Sequence, residues 1–443
     1  MHVERCAPGR ASVLCLVVWC LAPVAAEAQL RIPPNLPPAA LTLDDAVREG
    51  LEHNLALAAE RYSISIARAR VITARLRPNP VLTFDTMLPN ATVFAQNISP
   101  REQVFRTDVV IERGGKRERR IEVAEQARSV SERQLLNTMR TVVLDIQSAF
   151  IDAVLAKANL ALARESLQAF NTVVQVNVER VRTGDLSQVE LTRSRLAALQ
   201  FQNDVRQQES RLLIAQTKLK TVIGRTGAQS IDVTGDLRHD TQAIDLETVR
   251  RTALERRPDL DALRRDQARS SADLRLQIAQ GKVDYTVSGE VHRQRQATPP
   301  DANLGFLYGV YMSMPLPVFN RNQGEIERAR QEALQLDARI RALEADVSSE
   351  VQAAYETYTA SRDIVQTIEG NMLAQARDVR ATTEYAYRHG EASFIEFLDA
   401  VRAFNETMQS YNGARADYAR SLYALESTSG TSVTTLLPAG ATP

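Results

Sequence analysis

LTLDDAVREGLEHNLAL, from Leu41 to Leu57, returns as IDLETVRRTALERRPDL from Ile244 to Leu260. Leu43 answers Leu246, Leu51 answers Leu254 and Glu52 answers Glu255, a shift of 203. Downstream, GGKRERRIEVAEQA from Gly114 has a looser echo in RNQGEIERARQEA from Arg321, and RVRTGDLS ending at Ser187 is echoed by YAYRHGEAS ending at Ser393. Gly184 to Gly390 is a shift of 206. A period near 200 is far longer than a solenoid repeat, so each copy is a complete structural half.

Each half reads the same way. A helix is expected over 43–76, stopped by the RPNP at Arg77–Pro80, and its counterpart over 246–280. The apolar period then changes to two. Leu82, Phe84, Thr86 and Leu88 share a face, as do Phe105, Thr107, Val109 and Ile111, while Arg106, Asp108 and Glu112 take the opposite side. The second half repeats this with Val283, Tyr285, Val287 and Val291, and with Phe306, Tyr308, Val310, Met312 and Met314. Strands are thus expected at about 81–88, 104–112, 283–292 and 305–314, a length that crosses a membrane when tilted. Periodicity alone equally allows hairpins half-exposed to water.

Proline-free, alanine-rich runs follow, over 115–183 and 321–389, each long enough for a helix of about 100 Å. Both end at a glycine and lead into a return helix, 186–222 or 393–426, so each half closes with an antiparallel helical pair. In the last helix Phe397, Val401, Phe404, Met408, Tyr411, Tyr418, Leu422 and Leu425 form a narrow seam. The domain organisation read from this is a leader over 1–28, a first repeat over 29–227, a linker over 228–243, a second repeat over 244–427 and a disordered tail over 428–443. The fold class is mainly α with a small β part.

Arg5 and Arg10 precede an apolar run, Val13–Ala26, that ends in Ala26-Glu27-Ala28, which reads as a secretory signal cleaved after Ala28. Cys6, Cys15 and Cys20 all lie inside it, leaving no thiol for a disulfide, metal site or nucleophile. A lipid-modified start at Cys20 is disfavoured by the bulky Trp19 before it. Lys plus Arg equals Asp plus Glu at 54 each, so no global basic field points to nucleic acid. No apolar run of 18 residues follows the leader, so entry into a membrane would require a closed β-barrel. Two hairpins supply four strands, too few to close; three chains would supply twelve.

The duplicated helix, hairpin, long helix, glycine turn and return helix resemble the TolC-like outer-membrane efflux proteins over nearly all of the chain after the leader. IERGGKRERRIEVAE from Ile111 and MPLPVFNRNQGEIERA from Met314 look most like the CzcC and CusC branch. The resemblance implies a homotrimer: a twelve-stranded barrel in outer-membrane lipid, continued by a periplasmic α-helical tunnel. It also implies two partners, a periplasmic adaptor and a proton-driven inner-membrane RND-type pump, and a passive conduit rather than an enzyme, with no cofactor. Arg182, Gly184 and Ser187, and Arg388, Gly390 and Ser393, match the family's tip turns, where an adaptor is thought to dock; plain helix capping explains the glycines equally. Glu396 and Asp399, six and nine residues after Gly390, match an acidic ring at the periplasmic mouth. Acids also suit any helix start, so both readings stand. Glu190 and Arg193 occupy the shifted positions, so the first half would not add to a ring symmetrically.

His53, His239, His292 and His389 are scattered without metal-ligand spacing, so no built metal site is expected. Gly114-Gly115-Lys116 lacks the earlier glycine and following hydroxyl of a phosphate loop. The cargo the resemblance favours is a heavy-metal cation; drugs, solvents or a secreted protein are the alternative, and a periplasmic coiled-coil scaffold is the alternative of another class.

Overall fold

The computed structural model describes residues 40–87, 101–226, 231–238, 244–295 and 303–431. The leader read over 1–28 and the tail beyond Thr431 lie outside the described residues.

Each half opens with a bent helical pair rather than one rod. Thr42 caps α1 (Leu43–His53), its hydroxyl accepting from the Asp45 N–H. The helix expected over 43–76 then breaks at Asn54, which is extended (φ −63, ψ 128), and resumes as α2 (Leu55–Arg75). Asn54 makes the break favourable on both sides. Its Oδ1 accepts from the Ala56 and Leu57 N–H groups at 2.9 and 3.2 Å, and its Nδ2 donates to the Val222 carbonyl at 2.7 Å. The helix expected over 246–280 likewise divides into α5 (Leu246–Arg256) and α6 (Pro258–Gln280), because Pro258 keeps Arg257 out of the helical region.

The strands are β1 (Val81–Met87), β2 (Arg101–Ile111), β3 (Tyr285–Arg295) and β4 (Asn303–Ser313). They form one antiparallel sheet in the order β1-β2-β3-β4, so the two hairpins join through β2 and β3. Register is set by the period of two. Phe84 stands opposite Phe105, Phe105 opposite Val291, Val291 opposite Tyr308, and Val109 and Met312 both opposite Val287. One face is therefore apolar across all four strands. The other carries Arg106, Asp108, Ser288 and Glu290, with Arg106 2.7 Å from Asp108 and donating to Ser288 Oγ at 3.2 Å. The apolar face is the exposed one, with Leu82, Phe105, Tyr308, Val310 and Met312 in the open, while Arg106 and Asp108 are half-buried.

The long pairs are α3 (Lys116–Thr183) with α4 (Gln188–Ile223), and α7 (Gln323–Thr367) and α8 (Leu373–His389) with α9 (Phe394–Ser429). The 68 residues of α3 span about 100 Å. The run expected as one helix over 321–389 contains a five-residue π-helical turn, Ile368–Met372, with Gly370 inside it. Upstream of it the buried positions of α7 are Ala329, Leu336, Ile340, Val347, Val351, Tyr358 and Val365. The first residues of the tail expected from 428 are helical, since α9 reaches Ser429 and is capped by Gly430.

At the waist, Val47 and Leu57 of the bent pair pack on Val143, Ile146 and Phe150 of α3 and Leu219 and Ile223 of α4, with Val233 of the inter-half segment bridged to Leu41. Gly224 (φ 79) ends α4 there, and a Cβ on it would lie 2.3 Å from the His53 carbonyl oxygen. The second half builds its own core from Tyr358, Val365, Tyr418, Leu422 and Leu425. Between the halves lies a buried ionic knot. The Arg257 side chain, 3% exposed, donates to Asp259 at 2.6 Å and also to Glu350, while Arg140 of α3 sits 3.7 Å from Asp259 and donates to the Ser427 carbonyl at 3.2 Å.

Burial alone would push the Asp259 carboxyl up, but the hydrogen bonds and charge of Arg257, helped by Arg140, outweigh it and hold it below the usual range. A depressed folded pKa contributes stability that is present above the unfolded value of about 3.9 and lost as pH falls through the folded one. Asp259→Asn should thus cost about 3–5 kcal/mol at pH 7. Followed by helical circular dichroism, its stability should fall less than wild type on acidification below about pH 5. Gly224→Ala should lower the thermal midpoint sharply, combining about 1–2 kcal/mol of left-handed strain with about 1–3 kcal/mol of overlap. An unchanged midpoint would show that α1 and α4 are not locked together there.

Candidate functional site

Far from the sheet, both helical pairs turn through the same geometry. Gly184 (φ 85, ψ 5) and Gly390 (φ 80, ψ 13) cap α3 and α8 in the left-handed region that glycine accepts at least cost. The following amides fold back, Asp185 N–H to the Arg180 carbonyl and Glu391 N–H to the Ala386 carbonyl, both at 2.8 Å. Ser187 and Ser393 then cap the return helices, accepting from the Glu190 and Glu396 N–H groups at 3.2 and 3.3 Å. Arg182 and Arg388 are exposed and pair backwards along their own helices, with Glu179 at 2.8 Å and Glu384 at 2.5 Å.

The tips are uncovered. A Cβ on Gly184 would meet nothing within 4 Å, and one on Gly390 would meet only Arg180 Nη2 at 3.7 Å. That second contact brings the two turns side by side. It also separates these glycines from Gly224, whose φ is similar but whose surroundings are filled.

The acids behind Gly390 behave differently from each other. The Glu396 carboxylate accepts from the Ser393 N–H at 2.7 Å and its hydroxyl at 2.9 Å, closing a capping box. Those two hydrogen bonds, backbone first, hold its carboxyl below the usual range. Glu190 does not close the corresponding box on Ser187. Asp399, one turn on, is exposed and has no hydrogen-bond or ion-pair partner among the described residues. Both acids lie on the solvent side of α9, opposite the buried Phe394 and Phe397.

Sequence reasoning placed Phe397 and Val401 in the α9 seam but missed what they join at the tips. Phe170 packs tilted against Phe201 (centroids 4.4 Å apart) and stacks on Phe397 (5.6 Å), and Tyr387 lies nearly parallel to Phe397 at 5.2 Å. The Tyr387 hydroxyl donates to Asn177 Oδ1 at 2.8 Å, a buried bond between the halves. Burial pushes this phenol up from its ordinary value. Higher on the same seam, Ser166 donates to Asn405 at 2.9 Å and Asn412 to Asn159 at 3.0 Å. The aromatic spacing Tyr387, Phe394, Phe397 was a usable signal; the 210-residue separation from Asn177 was not.

Among the described residues no group of three or more His, Cys, Asp or Glu side chains could hold a metal ion. No described helix is long and apolar enough to cross a membrane. The Nδ1 atoms of His53 and His389 lie within hydrogen-bond distance of the Glu49 and Tyr385 carbonyls of their own helices.

The chain is 24% identical over 373 residues to the cobalt-zinc-cadmium resistance protein CzcC of Cupriavidus metallidurans, covering 84% of this chain and 86% of that one. Its fold is similar to that of CusC, whose solved structures concern folding and transmembrane channel formation (TM-score 0.72, 17% identity, 88% of this chain and 92% of that one). It is also similar to the outer membrane protein VceC of Vibrio cholerae (TM-score 0.68, 15% identity, 88% and 96%). A family model described as outer membrane efflux protein matches twice, over residues 46–225 and 249–431. With both halves matched, the chain belongs to the outer membrane efflux protein family.

Proposed function

We propose that three copies of this chain form the outer-membrane duct of a tripartite efflux system, passing divalent metal cations from a periplasmic adaptor and inner-membrane pump to the exterior. The observation that carries this reading is the inverted sheet. A water-soluble sheet hides its large apolar side chains, whereas here Leu82, Phe105, Tyr308, Val310 and Met312 are exposed on one face and Arg106, Asp108 and Glu290 are half-buried on the other. Lipid outside and water inside a barrel would satisfy both faces. The edges of β1 and β4 support sharing between copies, because unpaired backbone groups are not tolerated in hydrocarbon and four strands cannot close. The likeness to CzcC, a cobalt-zinc-cadmium resistance protein, supports metal cations as cargo.

Within this reading the uncovered tips, Arg182, Gly184 and Ser187 beside Arg388, Gly390 and Ser393, are the adaptor's docking surface. Asp399 and Glu396 line the closed mouth. Asp399 is the more effective member of the ring, since its carboxylate is unengaged, while Glu396 spends one oxygen on the helix cap. A duct makes and breaks no bonds, and the chain's own residues do no more than shape, gate and dock.

Fractionation and a denaturing gel run with and without heating test the assembly: an outer-membrane, heat-labile trimer is expected, and a soluble periplasmic monomer would sink the proposal. A strain lacking the chain should become hypersensitive to cobalt, zinc and cadmium; sensitivity confined to drugs would remove metal as cargo. In the reconstituted pore Asp399→Asn should weaken block by divalent cations roughly tenfold, about 1.4 kcal/mol, and Glu396→Gln should weaken it less. Unchanged block in both would eliminate the ring.

A further inference from the structure

The connection between β4 and α7 leaves three large apolar side chains in the open: Leu316, Val318 and Phe319, the last 91% exposed. They follow one free edge strand of the sheet. Beside the other edge strand, Arg77–Pro80 before β1, the end of β2 at Val109–Glu112 and the first turn of α3 line a cavity of about 600 Å³. Pro78 and Pro80 are exposed there, and Arg77 has no hydrogen-bond or ion-pair partner among the described residues. One edge thus carries apolar side chains without a floor, and the other a floor with nothing on it.

The repeat supplies the template for matching them, because the chain already contains this contact once. Where β2 meets β3, the connection after β2 packs on the four residues before β3. The Arg113 N–H donates to Asp284 at 2.8 Å, Lys116 pairs with Asp284 at 2.7 Å, and the Arg113 guanidinium lies 4.5 Å from the Tyr285 ring centroid. Arg77–Pro80 are the four residues before β1, as Gly281–Asp284 are before β3. The second occurrence of the contact is missing from a single chain because the sheet ends. Its chemistry is also changed on both sides together. Pro80 stands where Asp284 would receive a base, and the connection after β4 brings Leu316, Val318 and Phe319 where the one after β2 brings Arg113 and Lys116.

We propose that Phe319, flanked by Leu316 and Val318, seats against the Arg77–Pro80 segment of the next copy of this chain, making an apolar clasp at the foot of each edge-to-edge strand junction. This rests on the shared barrel proposed above. The contact is heterologous, one surface meeting a different one, so repetition around a threefold axis closes it into a ring. Proline rings and an uncommitted guanidinium are suitable faces for a phenyl ring. Lipid is the poorer occupant, since the cavity wall takes Val110 and Glu112 from the polar face of the sheet as well as Val109 and Ile111 from the apolar one, and adds Glu118.

The sequence gives a clean background for the test, because every cysteine and the sole tryptophan, Trp19, fall within the leader read over 1–28. The full chain carrying Phe319→Cys with Pro78→Cys is oxidised in outer-membrane vesicles with copper phenanthroline and run on a non-reducing denaturing gel. A ladder up to covalent trimer is expected from the double variant and none beyond dimer from either single one. Light scattering of the unoxidised protein in detergent is read alongside. A trimer that gives no ladder overturns the clasp and leaves the shared barrel standing; a monomer overturns both. Phe319→Trp is then placed in vesicles containing brominated phospholipid. Its emission should be unchanged, and loss of most of it would put the ring in lipid and overturn the clasp.

Discussion

An N–H or C=O group left unpaired in hydrocarbon costs several kcal/mol, and a strand edge carries a whole row of them. In the duct proposed above, much of the architecture follows from that penalty. Duplication gives each chain two hairpins, and β2–β3 pairing merges them into one sheet, yet β1 and β4 still end in open edges. With that sheet placed in a membrane, as proposed, neither edge can remain open. Water-filled surroundings below impose no such demand, so the helical pairs can rely on narrow seams and leave polar faces free.

The halves share a shape and differ in the chemistry that makes it. At the tips both turns share their glycine and serine, but only Ser393 is locked by its glutamate into a capping box. At the waist the bend is made by a side-chain cap at Asn54 in one half and by a proline in the other. Equivalent shapes reached by different chemistry show that geometry, not residue identity, is what the two halves hold in common.

Features encoded within a few residues were legible from sequence. The period-two stripes and the glycine turns carry their physics locally, and so does the Ser-x-x-Glu at Ser393, whose capping box went unread. The bend at Arg257 was equally legible from Pro258, and reading through it overrode the pre-proline rule. Asn54 was harder, because an asparagine inside an apolar-periodic run becomes a cap only when a distant carbonyl, that of Val222, rewards it. The Tyr387–Asn177 bond and the Arg140–Arg257–Asp259 knot join residues far apart in the chain, and no local pattern announces them. At the start of α9, the residue types of Glu396 and Asp399 were visible, but their unequal availability depends on hydrogen bonds within the cap.

The spacing of buried positions in α7 has a mechanical meaning. From Ala329 to Tyr358 the steps run seven, four, seven, four, seven, an eleven-residue repeat of about 3.67 residues per turn that favours right-handed winding around a neighbour. In α9 the large buried side chains Phe394, Phe397, Val401 and Phe404, with Ala400 beside them, run three, four, three, and Tyr418, Leu422 and Leu425 repeat the spacing of about 3.5 per turn farther along. The π turn at Ile368–Met372 ends this line in α7, and the step across it from Ile368 to Leu373 is five. The extra residue of the π turn thus resets which positions face inward within one short segment, and α8 beyond it follows a register of its own.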